Sequence, residues 1–213
     1  MKTVLVVGLG NPEGKYFNTY HNAGFLAVDL LAQRMGLTFK KKGNQMLADF
    51  LVSRKIPSIS QMQILNESAK TQRVKVFLLK PLTYMNLSGQ AVVALMRKQK
   101  IDPANLFVLV DDIYTDKGKI RIRHGGTHAG QNGIRSINDL VGTNAYTKIK
   151  IGIKPEREPH SMSDYVLKKI DEQSKPLINQ SLEMAVDAVE MLLNGEPLNI
   201  VQGKYNTKNE VGV

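Results

Sequence analysis

The first residues constrain the fold most. Thr3-Val4-Leu5-Val6-Val7 is β-branched and almost wholly apolar, with no alternation of polar residues. A strand with one wet face alternates; a run like this one is buried on both faces. It therefore calls for a sheet covered by helices on each side. The rest of the chain supplies alternating strand and helix signals. Residues 23–35 read as a helix, with Gly24, Val28, Leu31 and Met35 at +4, +3, +4 spacing and Gly36 as its stop. Short strands are expected at 46–53 and 61–65, separated by a polar turn around Pro57 and Ser58, then a strand at 74–79 ended by Pro81. A helix over 89–97 turns Val92, Leu95 and Met96 inward, and a strand at 106–110 closes in Asp111-Asp112. Strands at 119–123 and 148–153 alternate basic and apolar residues; between them 131–140 reads as a helix. Residues 164–167 suggest an edge strand. A long helix over 172–194 repeats Ile178, Leu182, Ala185, Val189 and Leu192, carries Pro176 near its first turn, and ends at Gly195. The expected fold is one α/β domain over residues 1–195, a mixed, mostly parallel, twisted sheet with helices on both faces and a C-terminal helix. Residues 196–213, with little apolar content beyond Asn199, are expected to fray.

Composition narrows the chemistry. The chain has 213 residues and no cysteine, which excludes disulfides, thiolate metal sites and cysteine nucleophiles. The run after Met1-Lys2 lacks the flanks of a secretory leader, and no stretch approaches the roughly 20 apolar residues that span a bilayer. A cytoplasmic protein without a membrane partner is expected. With 29 Lys+Arg against 19 Asp+Glu the net charge is +10, which points to a polyanion, nucleic acid first.

Gly8-Leu9-Gly10-Asn11-Pro12-Glu13-Gly14 follows the first strand, but a dinucleotide fingerprint needs glycine where Glu13 stands. The helix also begins too late to cradle a pyrophosphate at its N-terminus. Asn11 nevertheless stands at a strand's carboxyl end, where α/β sheets build their sites. His124 and His128 have a zinc spacing only if helical, and Gly125-Gly126 lies between them. His21 opens a helix in the loop leaving the first strand. Asn86, Asp111-Asp112 and Asn132 also fall at strand ends or helix starts. An imidazole with a carboxylate on one nitrogen is a general base near neutral pH. Asparagine amides supply donors for a developing oxyanion. There is no G-x-S-x-G elbow, so this set points to hydrolysis by activated water, without naming the substrate.

Together the motifs resemble bacterial peptidyl-tRNA hydrolase. The pieces are Val7-Gly8-Leu9-Gly10-Asn11-Pro12 with Tyr16, Thr19-Tyr20-His21-Asn22-Ala23-Gly24, Lys80-Pro81 through Met85-Asn86-Leu87-Ser88-Gly89, Asp111-Asp112 with Gly118, and Gly125 to Asn132-Gly133. With the strand at 148–153 they stand in the family's order over about residues 3–195. The resemblance implies a monomeric enzyme that uses no cofactor or metal and cleaves the ester between a stray peptide and the 3′ end of tRNA. It makes His21 the base and Asp111 the carboxylate that orients it. Asn11, Asn86 and Asn132 hold the substrate and polarise its carbonyl, Tyr16 and Met85 form cleft wall, and Arg123 and Lys150 grip a tRNA phosphate. A lid is implied over the cleft, placed at 154–163. Four positions depart from the family's habit: Glu13 for Gly, Tyr20 for Arg, Gln131 for His and Lys150 for Arg.

The charge is local. Between residues 117 and 157 nine basic residues face only Asp139 and Glu156, an excess of +7 out of +10. Lys119, Arg121 and Arg123 alternate with Ile120 and Ile122, which places them on one strand face; Lys148 and Lys150 do the same on another strand. These bases form a candidate phosphate track beside Asn132. The competing reading is a non-catalytic RNA-binding protein on the same fold.

Overall fold

The structure is a computed structural model that describes residues 1–55 and 71–206. The strand expected at 61–65 lies outside the described residues. Among the described residues, seven strands form one mixed sheet in the order β2-β3-β4-β1-β5-β7-β6. They are β1 (Lys2–Gly8), β2 (Lys40–Lys41), β3 (Gln45–Lys55), β4 (Thr71–Pro81), β5 (Leu106–Asp112), β6 (Ile120–His124) and β7 (Thr147–Gly152). The centre is parallel: β1 pairs with β4 and β5, and β5 with β7. The outer pairings β2–β3, β3–β4 and β6–β7 are antiparallel.

The doubly buried first strand is explained by two cores. Val4 and Val6 face one, with Ala27, Val28 and Leu31 of α1 (Ala23–Arg34) and Ile178, Ala185 and Val189 of α5 (Lys175–Asn194). Leu5 and Val7 face the other, with Val92 and Leu95 of α2 (Ser88–Gln99) and Ile134 and Ile137 of α3 (Asn132–Val141). The chain runs from β1 to β4 on one side and returns to β5 on the other. The order reverses between β1 and β5, and open α/β sheets form their crevices at such a point.

Two expectations fail. Residues 164–167 are not an edge strand: α4 (Met162–Val166) is helical there, and Ser161 Oγ accepts from Asp164 N at 3.2 Å as its N-cap. Nor do the described residues 198–206 fray as expected. Leu198–Tyr205 forms α6, burying Val201 and Tyr205. Just past it, Asn206 Oδ1 accepts from Ile122 N at 2.7 Å and Asn206 Nδ2 donates to Ile122 O at 3.0 Å. One side-chain amide thus pairs with the middle residue of the edge strand β6 as a neighbouring strand would.

Candidate active site

Four segments deliver the candidate residues to one end of the sheet. Asn11 follows β1, Asn86 follows β4, Asp111 is the penultimate residue of β5 and Asn132 begins α3. Close backbone approach makes this convergence possible. A Cβ on Gly24 would lie 2.3 Å from Leu109 O and 2.5 Å from Leu9 N, so only glycine lets α1 start against the ends of β1 and β5. A Cβ on Gly89 would lie 2.2 Å from Ser136 O, so α2 meets α3 backbone to backbone. These contacts bring His21 to Asp111 and Asn86 to Asn132 within one cleft of about 520 Å³.

His21 Nδ1 lies 2.9 Å from Asp111 Oδ2, with the two side chains 15% and 4% exposed. In the neutral tautomer Nδ1–H donates to the carboxylate, leaving the Nε2 lone pair available. Burial opposes a charge on the imidazole. The Asp111 charge and hydrogen bond together outweigh it and raise the His21 pKa above its ordinary 6.5. Gln131 Nε2 donates to the other carboxylate oxygen at 2.8 Å. Gln131 Oε1 accepts from Gly133 N at 2.6 Å and Ile134 N at 3.2 Å, capping α3.

Asn11 is locked from three sides. Its N–H donates to Asn22 Oδ1 at 2.8 Å, its carbonyl accepts from Asn22 Nδ2 at 3.0 Å, and its Oδ1 accepts from Met85 N at 2.9 Å. With Oδ1 engaged, Nδ2 is the group Asn11 can offer to a ligand. Asn86 and Asn132 are exposed on the cleft wall, and Met85 is buried beneath it. Tyr16 is half-buried and does not line the cleft; Lys15 sits over its ring at 4.9 Å. Met162 and Ser163, at the end of the segment expected to form a lid, do line it.

The basic residues divide. Arg121 and Arg123 lie on β6, in register with Lys150 and Lys148 of β7. Lys119 is exposed one residue before the strand; its carbonyl accepts from Gly152 N at 3.0 Å and its ammonium is bound to Asp116 at 3.2 Å. Lys148 is 1% exposed, not solvated. Its ammonium donates to Gly125 O at 2.7 Å and sits 4.4 Å from the Tyr146 ring centre. Burial first, then the Lys150 charge, pushes its pKa down to about 8. Lys150 lines the cleft, and its ammonium lies 2.7 Å from the buried Asp112 Oδ1.

The sequence departures have physical roles. Glu13 accepts from Tyr84 OH at the cleft rim and pairs with Lys15 at 2.9 Å. Tyr20 is buried away from the cleft, stacked on Tyr165 with ring centres 5.0 Å apart, and donates to Asp171 Oδ2 at 2.8 Å. That bond, then the Ser174 N–H, holds the Asp171 carboxyl down at about 2. Sequence reasoning missed two working partners. Asn22 was visible only as part of a motif, and Gln131 only as a departure; each acts by reaching a residue distant in sequence. His124 ends β6 and His128 lies in the following loop, so their spacing is not a helical one.

The peptidyl-tRNA hydrolase family model matches residues 5–211. A peptidyl-tRNA hydrolase of Desulforamulus reducens is 41% identical over 206 residues, covering 96% of this chain and 89% of that protein. One from Lactococcus lactis subsp. cremoris is 36% identical over 204 residues, covering 96% and 100%. The crystal structure of the Acinetobacter baumannii peptidyl-tRNA hydrolase superposes with a TM-score of 0.78 at 30% identity, covering 96% of this chain and 95% of that one. With the family model and relatives of 36% and 41% identity matched over nearly its whole length, this chain belongs to the peptidyl-tRNA hydrolase family.

Proposed function

We propose that the protein hydrolyses the ester joining a peptide to the 3′ end of tRNA, releasing the tRNA for reuse, by water activated at His21 and without a metal. The observation that carries this reading is the His21 Nδ1–Asp111 Oδ2 contact of 2.9 Å at a cleft lined by Asn11, Asn86 and Asn132. Asp111 holds the imidazole in the tautomer with Nε2 free. Nε2 takes a proton from water as the oxygen attacks the ester carbonyl. The tetrahedral oxyanion is met by amide N–H groups, Asn11 Nδ2 foremost because Asn11 is held rigidly. Collapse of the intermediate breaks the bond to the ribose oxygen, which takes up the proton from His21. Asn86, Asn132 and Met85 contact the substrate near the ester, while Arg121, Arg123 and Lys150 face tRNA phosphate. Among the described residues no group of three His, Asp or Glu could hold a metal ion, and no helix is long and apolar enough to cross a membrane. The chain acts in the cytoplasm as a monomer in this reading.

The test is peptide release from a peptidyl-tRNA, measured with a chelator present. Wild-type turnover should be unaffected by the chelator. His21→Ala should lose nearly all turnover while still binding tRNA; turnover retained in that variant would overturn the mechanism. An intact His–Asp pair weighs against a purely RNA-binding role on the same fold.

A further inference from the structure

Gln131 is half-buried beside the cleft, and its side-chain amide uses every bonding position it has. The nitrogen donates to Asp111 Oδ1 at 2.8 Å and faces Met85 Sδ at 3.5 Å. The oxygen accepts from the N–H groups of Gly133 and Ile134 at the start of α3. Turning the amide over would set its N–H groups against two N–H groups and its oxygen against a carboxylate. Its orientation is therefore settled by chemistry alone.

We propose that Gln131 is a positioning residue of the hydrolytic centre: anchored on α3, it fixes the rotation of the Asp111 carboxylate so that Oδ2 meets His21 Nδ1. The terminal torsion of an aspartate is soft, with broad preferences. A carboxylate bonded through one oxygen only can swing, and the imidazole swings with it. Gln131 removes that freedom by holding the second oxygen. The same side chain ties Asp111 to the residue next to Asn132, so base, carboxylate and substrate amide form one rigid unit. An amide is also uncharged and does not titrate, so the clamp stays constant through the pH range in which His21 changes charge. This inference rests on the proposed ester hydrolysis for its kinetic consequence, but not for its physical one.

Three variants separate clamp from cap. Gln131→Ser retains a good N-cap for α3 but is too short to reach Asp111. Its melting temperature should stay near wild type, while kcat falls roughly 10- to 100-fold with KM little changed, the scale expected when a reacting group loses its alignment. Gln131→His restores a donor and should recover most of that loss. Gln131→Glu places a second carboxylate at Asp111, which favours the protonated imidazole. Titration of the His21 ring, followed by NMR in the substrate-free protein, should move to higher pH. Wild-type kcat in the serine variant, or an unmoved His21 titration in the glutamate variant, would reduce Gln131 to a helix cap. If wild-type protein releases no peptide, the ester-hydrolase reading fails; the His21 titration of Gln131→Glu still decides the clamp.

Discussion

At the residue scale, the proposed role of the His21–Asp111 pair predicts two opposite pH dependences. Burial alone would depress the imidazole; the Asp111 charge and hydrogen bond reverse that and leave the pKa above 6.5. A general base works deprotonated, so the acid limb of kcat/KM should have its midpoint above 6.5. Asp111→Asn removes the charge and leaves the burial. The limb should then move to lower pH, although the rate itself falls through loss of the oriented tautomer. A pH–rate profile of both proteins checks this, and a limb that stays in place would mean that another group titrates. The folding contribution runs the other way. The raised His21 pKa adds stability that is complete below about 6.5 and fades as pH rises through the folded-state value. In the proposed mechanism the protein is thus most active where this pair stabilises it least. Both partners were readable in the sequence from their types and their places at strand and helix ends. Asn22 and Gln131 were not, because each works by reaching across 11 and 20 residues, to Asn11 and Asp111.

At the element scale, what matters is how closely α1 approaches the ends of β1 and β5. Gly24→Ala would drive a methyl group into Leu109 O, Leu9 N and Leu9 O, all within 2.6 Å of its ideal position. Backbone atoms cannot move aside as a side-chain tip can. The variant should lose about 2–4 kcal/mol of stability, or roughly 5–10 °C in melting temperature. Turnover should fall as well, since the same helix start carries His21. Thermal denaturation with a peptide-release assay tests both; an unchanged melting temperature would show that α1 can back away. The long elements were legible because periodicity records which face is buried. The failures were short. Residues 164–167 contain too few positions to separate a strand from a turn of helix, and the Ser161 cap decided it. Helix α6 has only Val201 and Tyr205 buried, and the Asn206 and Gln202 bonds to Ile122 join it to β6. No local pattern announces such a contact.

At the scale of the whole molecule, the positive charge is less concentrated than the sequence count indicates. A window opening at residue 117 leaves out Asp112 and Asp116, which fold back onto it: Asp112 takes Lys150, and Asp116 takes Lys119 and Lys154. Lys148 is buried against carbonyl oxygens. Arg121 and Arg123, which make no ion pair among the described residues, carry the phosphate-facing charge in the proposed reading. Reversing both to Glu should weaken full-length tRNA substrates far more than a peptide ester on a short RNA. It should also lower the slope of log affinity against log salt by about 2. Equal losses on both substrates would argue against a phosphate grip. Reversing Lys150 would be a poorer test, because it would set a carboxylate against buried Asp112.

The sequence by itself determined the alternation of elements, the double burial of the first strand and the residue types gathered at the strand ends. These depend on local spacing and on the cost of leaving apolar groups in water, and both are written along the chain. Tertiary structure decided which of those residues act together. The 2.9 Å contact between His21 and Asp111, the Gln131 clamp and the Lys150–Asp112 pair join positions far apart in sequence. Hydrogen bonds and ion pairs act over a few ångströms, so their partners are chosen only when the sheet order and the backbone approach at Gly24 and Gly89 bring them together.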